Sequence, residues 1–570
     1  MPDNSTPHGV QYDSHRPVIM GRRGMVSSAH PLASQAGISI LQRGGNAVDA
    51  AIAIAASLNI TEPLMSGIGG DGYIMIYMKE TGNVSVINAT GAAPYAATLR
   101  QYSQGIPMKG ILSTSVPGLL RGWSEAHQKY GRLKLGEVLD PAIDLAQNGF
   151  PVSHVLARAI ANDPLLQEFP TSKAVFTRKG RPLLPGEILY QENLARTFER
   201  ISHEGASTFY EGEIADAIVR FSDEQGGLLT QKDLVDCKAV WQEAISTTYH
   251  GHTVYEAPPN SSGHVLLQEL NLAECFDLRS LSCNSAESVH LMVEMKKLAF
   301  ADREAYLADP NFVDVPIPGL LSKEYAKERA ATINTEKALE DVTEGNPWLF
   351  QSPLGQPPHP THLSGPQREN TTCFVVVDQW GNAVSMLQSI QTAWGSSLIA
   401  GETGILLNNR MTYWHLDPKH IDCLQPGKRV RHTMNPVMVF ENTSVAKGIG
   451  DLFLVCGTPG ADTQVQTNFQ VVTHVIDHGM TVAEAVEAPR WRHIQDPTES
   501  TIPHTCEDEL RLESRFTSKT GNSLKKRGHN VNFIGDWAAM GNEVMIQVNT
   551  QEGSLHGAAD PRSDGYALGW

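Results

Sequence analysis

The sequence predicts an α+β protein whose sheets are sandwiched between helices. Three observations predict it. Residues 30–60 carry apolar positions at helical spacing, residues 373–390 read as strand, turn and strand, and strands and helices cluster locally along the rest of the chain. No repeat of about 20–50 residues argues for a solenoid or propeller.

Taken in order, residues 1–27 read as a polar N-terminal arm. HPLASQAGISILQRGGNAVDAAIAIAASLNI predicts two helices broken at Gly44-Gly45. TEPLMSGIGGDGYIMIYM predicts a glycine loop leading into an alternating strand, and VSVINAT a second strand. STSVPGLLRGWSEAHQKYG reads as a turn and a helix with Pro117 near its start. Residues 132–235 are mostly helical with Pro/Gly punctuation, and HGHTVYEAPPNSSGHVLLQELNLAE reads strand, loop, helix. ESVHLMVEMKKLAFADREAYLADP predicts a long amphipathic helix. Its Asp302, Arg303 and Asp309 invite notice as acid/base groups, but a position near a helix end favours salt-bridged or capping roles. Residues 340–370 combine Pro, Gly, His and polar residues without a period and read as a linker. Beyond it, 373–378 and 383–390 flank a Trp380-Gly381-Asn382 turn, GETGILLNN and DLFLVCGTPG read as strands ending in glycine loops, QVQTNFQVVTHVIDHG and VAEAVEAPRW as helices, and NEVMIQV as a strand.

Composition narrows the function. At 570 residues, 41% hydrophobic and 19% charged, the chain has the balance of a globular enzyme with a large core. A net charge of −17 argues against nucleic acid or an anionic membrane as partner. Cys237, Cys275, Cys283, Cys373, Cys423, Cys456 and Cys506 are scattered, odd in number and never CxxC, so they form neither a disulfide framework nor a zinc ribbon. The first residues lack the apolar core of a secretory signal, and no window approaches the roughly 18 apolar residues of a membrane span. A cytoplasmic protein without a bound metal or cofactor is the simplest expectation. A homodimer is compatible with the sequence.

The most informative stretch is Asn370-Thr371-Thr372-Cys373. A threonine heads an apolar strand, directly behind the linker. If the Asn370–Thr371 bond is cut, Thr371 carries both a nucleophile and its own base, the freed α-amine. Thr is common in strands, so position alone does not decide the matter. Downstream, Gly457-Thr458-Pro459-Gly460-Ala461-Asp462 is a loop able to aim two backbone N–H groups at one point, as an oxyanion hole requires, though a simple turn has the same composition. Gly67-Ile68-Gly69-Gly70-Asp71-Gly72 matches GxGxxG, but a helix precedes it and a strand follows, the reverse of a dinucleotide site. It reads better as a turn packed close to another backbone. GxxxxGK[ST], HExxH and GxSxG are absent, and the histidines show no ligand spacing.

TTCFVVVDQWGNAVSMLQSIQTAWGS, AGETGILLNNRM, CGTPGAD, EAPRW and GAADPRS together resemble the γ-glutamyltranspeptidase family of N-terminal-nucleophile (Ntn) hydrolases. GGNAVDAAIA, PLMSGIGGDGY, SVPGLLRGW and ADREAYLADP also have counterparts there, in the family's order from about Ser28 to the end. The resemblance implies a four-layer αββα sandwich. It implies a large-subunit segment, 28–370, and a small-subunit segment, 371–570, intertwined in one domain and separated by self-cleavage at Asn370–Thr371. It places the nucleophile on Thr371, the hydroxyl that holds the nucleophile's amine on Ser389, a substrate-side amide on Gln391 and the oxyanion hole on Gly460 and Ala461.

The family's grip on a γ-glutamyl group changes here. Its aspartate falls on Tyr413, the neighbouring glutamine on Arg410, the paired serines on His432 and Thr433, and the large-chain arginine on or near Thr90. A substrate ammonium facing Arg410 is repelled rather than paired. Arg410, Arg431 and His432 instead suggest a cationic pocket for an acyl group with a carboxylate and no amine, with ion pairs that only brace the fold as the competing role for the arginines. NNRMTYWHLDP and GKRVRHTMNP resemble an atypical branch that includes oxamate amidohydrolase and cephalosporin acylase. The expected activity is cleavage of a small-molecule amide through an acyl-enzyme on Thr371. A true γ-glutamyl hydrolase or transpeptidase, such as a glutathione hydrolase, and an unprocessed non-catalytic relative are the alternatives.

Overall fold

The computed structural model describes residues 14–352, 371–442, 449–504 and 506–570. The strands that build the core are β1 (Ile19–Gly21), β2 (Gly24–Ser28), β3 (Asp71–Met78), β4 (Asn83–Ala89), β5 (Val240–Glu243), β6 (Ile245–Tyr249), β7 (His252–Glu256), β8 (Thr372–Asp378), β9 (Ala383–Ser389), β10 (Val437–Glu441), β11 (Asp451–Gly457), β12 (Val544–Asn549), β13 (Ser554–Ala559) and β14 (Tyr566–Gly569). They pair as two antiparallel seven-stranded sheets, ordered β14-β2-β8-β9-β3-β4-β5 and β1-β13-β12-β11-β10-β7-β6. Strands from both sides of residue 371 stand in each sheet.

The period-two alternation of a strand explains the layers. Along β8, Cys373, Val375 and Val377 join Met25, Tyr73, Met75, Leu387, Met438, Val455 and Ile546 in an apolar seam between the sheets. Phe374 and Val376 point the other way, into a core shared with the helices α1 (Pro31–Gln42), α2 (Ala47–Thr61) and α3 (Leu119–Tyr130). Helices α4 (Gly263–Ala273), α5 (Ala286–Tyr306), α6 (Thr463–His478) and α7 (Val482–Glu487) cover the outer face of the second sheet over Val254, Val439, Leu454 and Met545. The result is the αββα sandwich of the Ntn hydrolases. Since β8 is buried on both faces, Phe374→Ala should cost about 3–5 kcal/mol.

Local chemistry sets the helix ends. Pro31 opens α1, the chain turns at Gly44 with φ 94°, and Asn46 and Asp49 form a capping box at the start of α2.

Three expectations change. The segment read as a polar arm contributes β1 and β2, because Met25 and Val26 are fully buried against the two cores. Helix α5 is buried on almost every side rather than amphipathic. Strands Trp491–Ile494, Glu509–Glu513 and Val531–Ile534 form a small sheet on that side of the molecule. From there His529 bonds His290 of α5, while Gln495 bonds Lys296. GETGILLNN forms no strand; it is held by the bridges Ile399↔Leu406 and Gly69↔Leu407 and by backbone bonds to Gly69, Ile390 and Leu398. Among the described residues all seven cysteines are free, and no helix is long and apolar enough to cross a membrane.

Candidate active site

Thr371 is buried and immediately precedes β8; Asn370, on the other side of the expected cleavage bond, lies outside the described residues. Strand register places the neighbours of Thr371. Thr372 pairs with Gln388, Ser389 with Asp71, and Gly72 with Ala89. Continued by one residue, this register sets Thr371 beside Ser389 and Asp71 beside Thr90. Opposed residues of antiparallel strands project on one face, so the four form a row across β8, β9, β3 and β4. That face meets the second sheet, because Cys373 lies in the seam between the sheets. With strands about 4.8 Å apart, Asp71 stands about 10 Å from Thr371.

The glycine loop before β3 makes this row possible. A Cβ on Gly70 would lie 2.2 Å from the Ser389 carbonyl oxygen, and one on Gly69 would lie 2.2 Å from that of Leu406. These glycines are a backbone contact rather than a nucleotide site, as expected. Ser389 Oγ accepts the Gln391 N–H at 2.8 Å, and Gln391, at φ 86°, donates its side-chain amide to Thr501 Oγ1 at 2.8 Å.

The turn after β11 lies close to the head of β8. Gly457 is pressed against Cys373, where a Cβ would come within 2.7 Å of Sγ, and Ser385 Oγ donates to the Cys456 carbonyl at 2.9 Å. Gly460 has φ 123° and Ala461 φ 54°. The Gly460 and Ala461 carbonyls accept from Thr463 and Gln464 at 2.9 and 3.0 Å. A planar trans peptide then turns the Ala461 and Asp462 N–H groups the opposite way, out of the N-terminus of α6. Asp462 anchors the turn: its carboxylate pairs with Arg303 and accepts from Ser500 N at 2.7 Å and Ser500 Oγ at 2.8 Å. Burial pushes that carboxyl up, but Arg303, Arg431 and the Ser500 amide outweigh it and hold it below its usual range. Arg303 is thus a brace, as are Asp302, which accepts from Tyr325 and Gln268, and Asp309, which accepts the Arg429 N–H.

Arg410, Tyr413, His432 and Thr433 gather around Asp71. The Asn408 N–H bonds the Gly69 carbonyl at 3.1 Å and the Asn409 N–H that of Ile390 at 3.1 Å, which fixes the turn carrying Arg410. Arg410 is fully buried; its Nε donates to Asp71 Oδ2 at 3.2 Å and its guanidinium stacks on the Tyr413 ring at 4.6 Å. Its Nη2 is buried with no hydrogen-bond partner among the described residues. The Gly91 N–H holds Asp71 Oδ1 at 2.8 Å, and the Tyr413 hydroxyl meets Thr433 Oγ1 at 3.2 Å.

The pocket is therefore less cationic than the sequence suggests. Burial, reinforced by Arg410, drives the His432 imidazole down to about 4 against the pull of Asp71, so it is neutral near pH 7. Arg431 turns away, pairing with Glu304 at 2.5 Å, and braces the fold. Arg410 remains, half-neutralised by Asp71. Asp71 is the partner that sequence reasoning missed; its only signal was an acidic residue inside a glycine turn.

The Gamma-glutamyltranspeptidase family model matches residues 33–570. The chain belongs to this family. It is 39% identical over 559 residues to the glutathione hydrolase-like YwrD proenzyme of Bacillus subtilis (strain 168), covering 97% of this chain and 99% of that protein. It is 36% identical to the acylase ACY 1 proenzyme of Pseudomonas sp. (strain SE83), covering 98% and 96%. The crystal structure of cephalosporin acylase from Bacillus halodurans matches with a TM-score of 0.86 at 33% identity, covering 100% of this chain and 99% of that one. Membership makes this γ-glutamyltranspeptidase relative a hydrolase acting on amide C–N bonds.

Proposed function

We propose that the chain is a self-processing N-terminal-threonine amidohydrolase whose substrate carries an acidic acyl group without the glutamyl amine. The observation that carries this reading is the buried guanidinium of Arg410, with Nε on Asp71 and Nη2 without a hydrogen-bond partner among the described residues. A carboxylate supplies the missing partner; an ammonium is repelled.

In the precursor, Thr371 Oγ attacks the Asn370 carbonyl carbon, the C–N bond breaks with the proton passing to the new amine, and water hydrolyses the resulting ester. Chains 1–370 and 371–570 result. In the mature enzyme the Thr371 amine, held by Ser389, takes the Oγ proton as Oγ attacks the substrate carbonyl carbon, and it returns that proton to the departing amine as the C–N bond breaks and the acyl ester on Oγ remains. The backbone amides of the Gly460-Ala461 turn stabilise the oxyanion, and water or an acceptor amine releases the acyl group.

A γ-glutamyl hydrolase is the second reading. Asp71 favours it, because this carboxylate, released from Arg410, would face a substrate ammonium. Parallel assays on glutaryl anilide, oxamate and γ-glutamyl anilide decide. Turnover of an acidic acyl donor well above γ-glutamyl supports the proposal; strong γ-glutamyl turnover alone overturns it.

A further inference from the structure

One loop fastens three parts of this site. Ser500 binds the Asp462 carboxylate with both its N–H and its hydroxyl, directly behind the Gly460-Ala461 turn. The next residue, Thr501, receives the Gln391 amide at 2.8 Å, two residues beyond Ser389. After that, the Ile502 N–H bonds the Thr412 carbonyl at 2.8 Å, inside the turn Arg410–Tyr413 that carries the pocket arginine. Three consecutive residues thus fasten the oxyanion turn, the substrate-side amide and the acyl pocket, which are separated by tens of residues along the chain.

The loop is itself clamped. Its His504 ring stacks on His415 at 3.7 Å, and His415 stacks on His420 at 3.4 Å. His420 Nε2 lies 3.0 Å from Glu304, the partner of Arg431. His420 Nδ1 accepts the Asp422 N–H at 3.0 Å, which leaves Nε2 as the atom facing Glu304. This histidine column acts as a buttress. Ser500 and Thr501 are nearly fully buried, so water does not compete for their bonds.

We infer that Ser500 and Thr501 are positioning residues that set the oxyanion amides at a fixed distance from the Arg410 pocket. This rests on the reading of Gly460-Ala461 as the oxyanion hole and Arg410 as the acyl anchor. Neither residue touches the reacting atoms; Ser500 acts through Asp462, and Thr501 through Gln391. A displacement of about 1 Å at the oxyanion turn costs up to about a hundredfold in rate, whereas ground-state binding at Arg410 is hardly altered.

The test uses processed wild type, Ser500→Ala, Thr501→Val, and the conservative pair Ser500→Thr and Thr501→Ser. With glutaryl anilide, Ser500→Ala should lower kcat about tenfold or more with KM within about twofold, and the hydroxyl-retaining variants should recover most of it. Equal loss in kcat and 1/KM, or no loss, overturns the inference. Hydrogen exchange supplies an arm that needs no substrate. Ser500→Ala should speed exchange at residues 460–464, Thr501→Val at 389–391, with β8 unchanged. Unaltered exchange at both, or loosening spread over β8, overturns it even if glutaryl anilide is not turned over, a result that would count against the functional proposal alone.

Discussion

The sharpest prediction concerns the Arg410–Asp71 pair. Replacing Arg410 alone strands a buried carboxylate, which costs about 3–5 kcal/mol of stability and obscures any kinetic reading. The informative variant is Arg410→Gln with Asp71→Asn, which removes both charges and keeps amides in their place. A charge-assisted hydrogen bond from Nη2 to a substrate carboxylate is worth about 1.5–3 kcal/mol, or about 10- to 150-fold in kcat/KM. The assay compares glutaryl anilide with valeryl anilide, which match in chain length and differ in the terminal carboxylate. The ratio of their kcat/KM values should fall by that factor, with valeryl anilide within about threefold of wild type, while thermal unfolding reports that the fold is kept. A preserved ratio would refute Arg410 as the carboxylate anchor. Equal loss on both substrates would mean that the pair only holds the turn in place.

Other outcomes are equally specific. On a denaturing gel, wild type should run as two bands split near residue 370 and Thr371→Ala as one; an uncut wild type sinks the enzyme reading as proposed. Gly460→Ala should lower both kcat and the unfolding midpoint, because φ 123° is left-handed and the new Cβ would sit 3.2 Å from the Gly541 nitrogen; about 1–2 kcal/mol is expected from the backbone alone. The buried histidines should make stability fall as pH drops from about 6.5 toward 4, opposed by Glu62, Glu269 and Glu543, whose carboxyls burial raises to about 8. Burial lowers His30, His432 and His504 to about 4 and His264, His474 and His529 to about 3, so in that window the unfolded chain binds the extra protons. Each histidine contributes about 1.4 kcal/mol per pH unit there, and His432→Gln should flatten the curve measured by urea unfolding. A His432→Gln profile with the same slope as wild type between about pH 6.5 and 4 would show that this imidazole is not buried neutral.

Thr371, the proposed nucleophile, stands out in the sequence because its signals are local: a linker, a threonine and an apolar strand in succession. The paired helices before β3 were legible for the same reason, since Gly44-Gly45 and the Asn46 cap act over a few residues. Asp71 was not, because its role depends on Arg410, 339 positions away, on a turn that only the completed fold brings to it. The same holds for Ser500 and Thr501, whose loop has no periodicity and whose partners lie on other elements. His432 shows a further limit. Its charge follows from burial and a neighbouring guanidinium, neither of which is written at position 432. The amphipathic expectation for α5 failed because its polar side chains are buried against residues much later in the chain, such as His529 on His290 and Gln495 on Lys296.

The strand order also imposes a timetable. β8 sits between β2 and β9, and β9 separates β8 from β3, so a ribosome that has made only the first 370 residues has left the middle of one sheet empty. The row that flanks Thr371 does not exist until both halves of the polypeptide have emerged and interlocked. Under the proposed self-cleavage, the scissile bond is therefore inert in a nascent or half-folded chain, and completion of the fold licenses the cut. Once cut, the two pieces are threaded through one another's sheets. Separating them requires melting both, and mixing pieces made apart should not restore what one continuous chain builds.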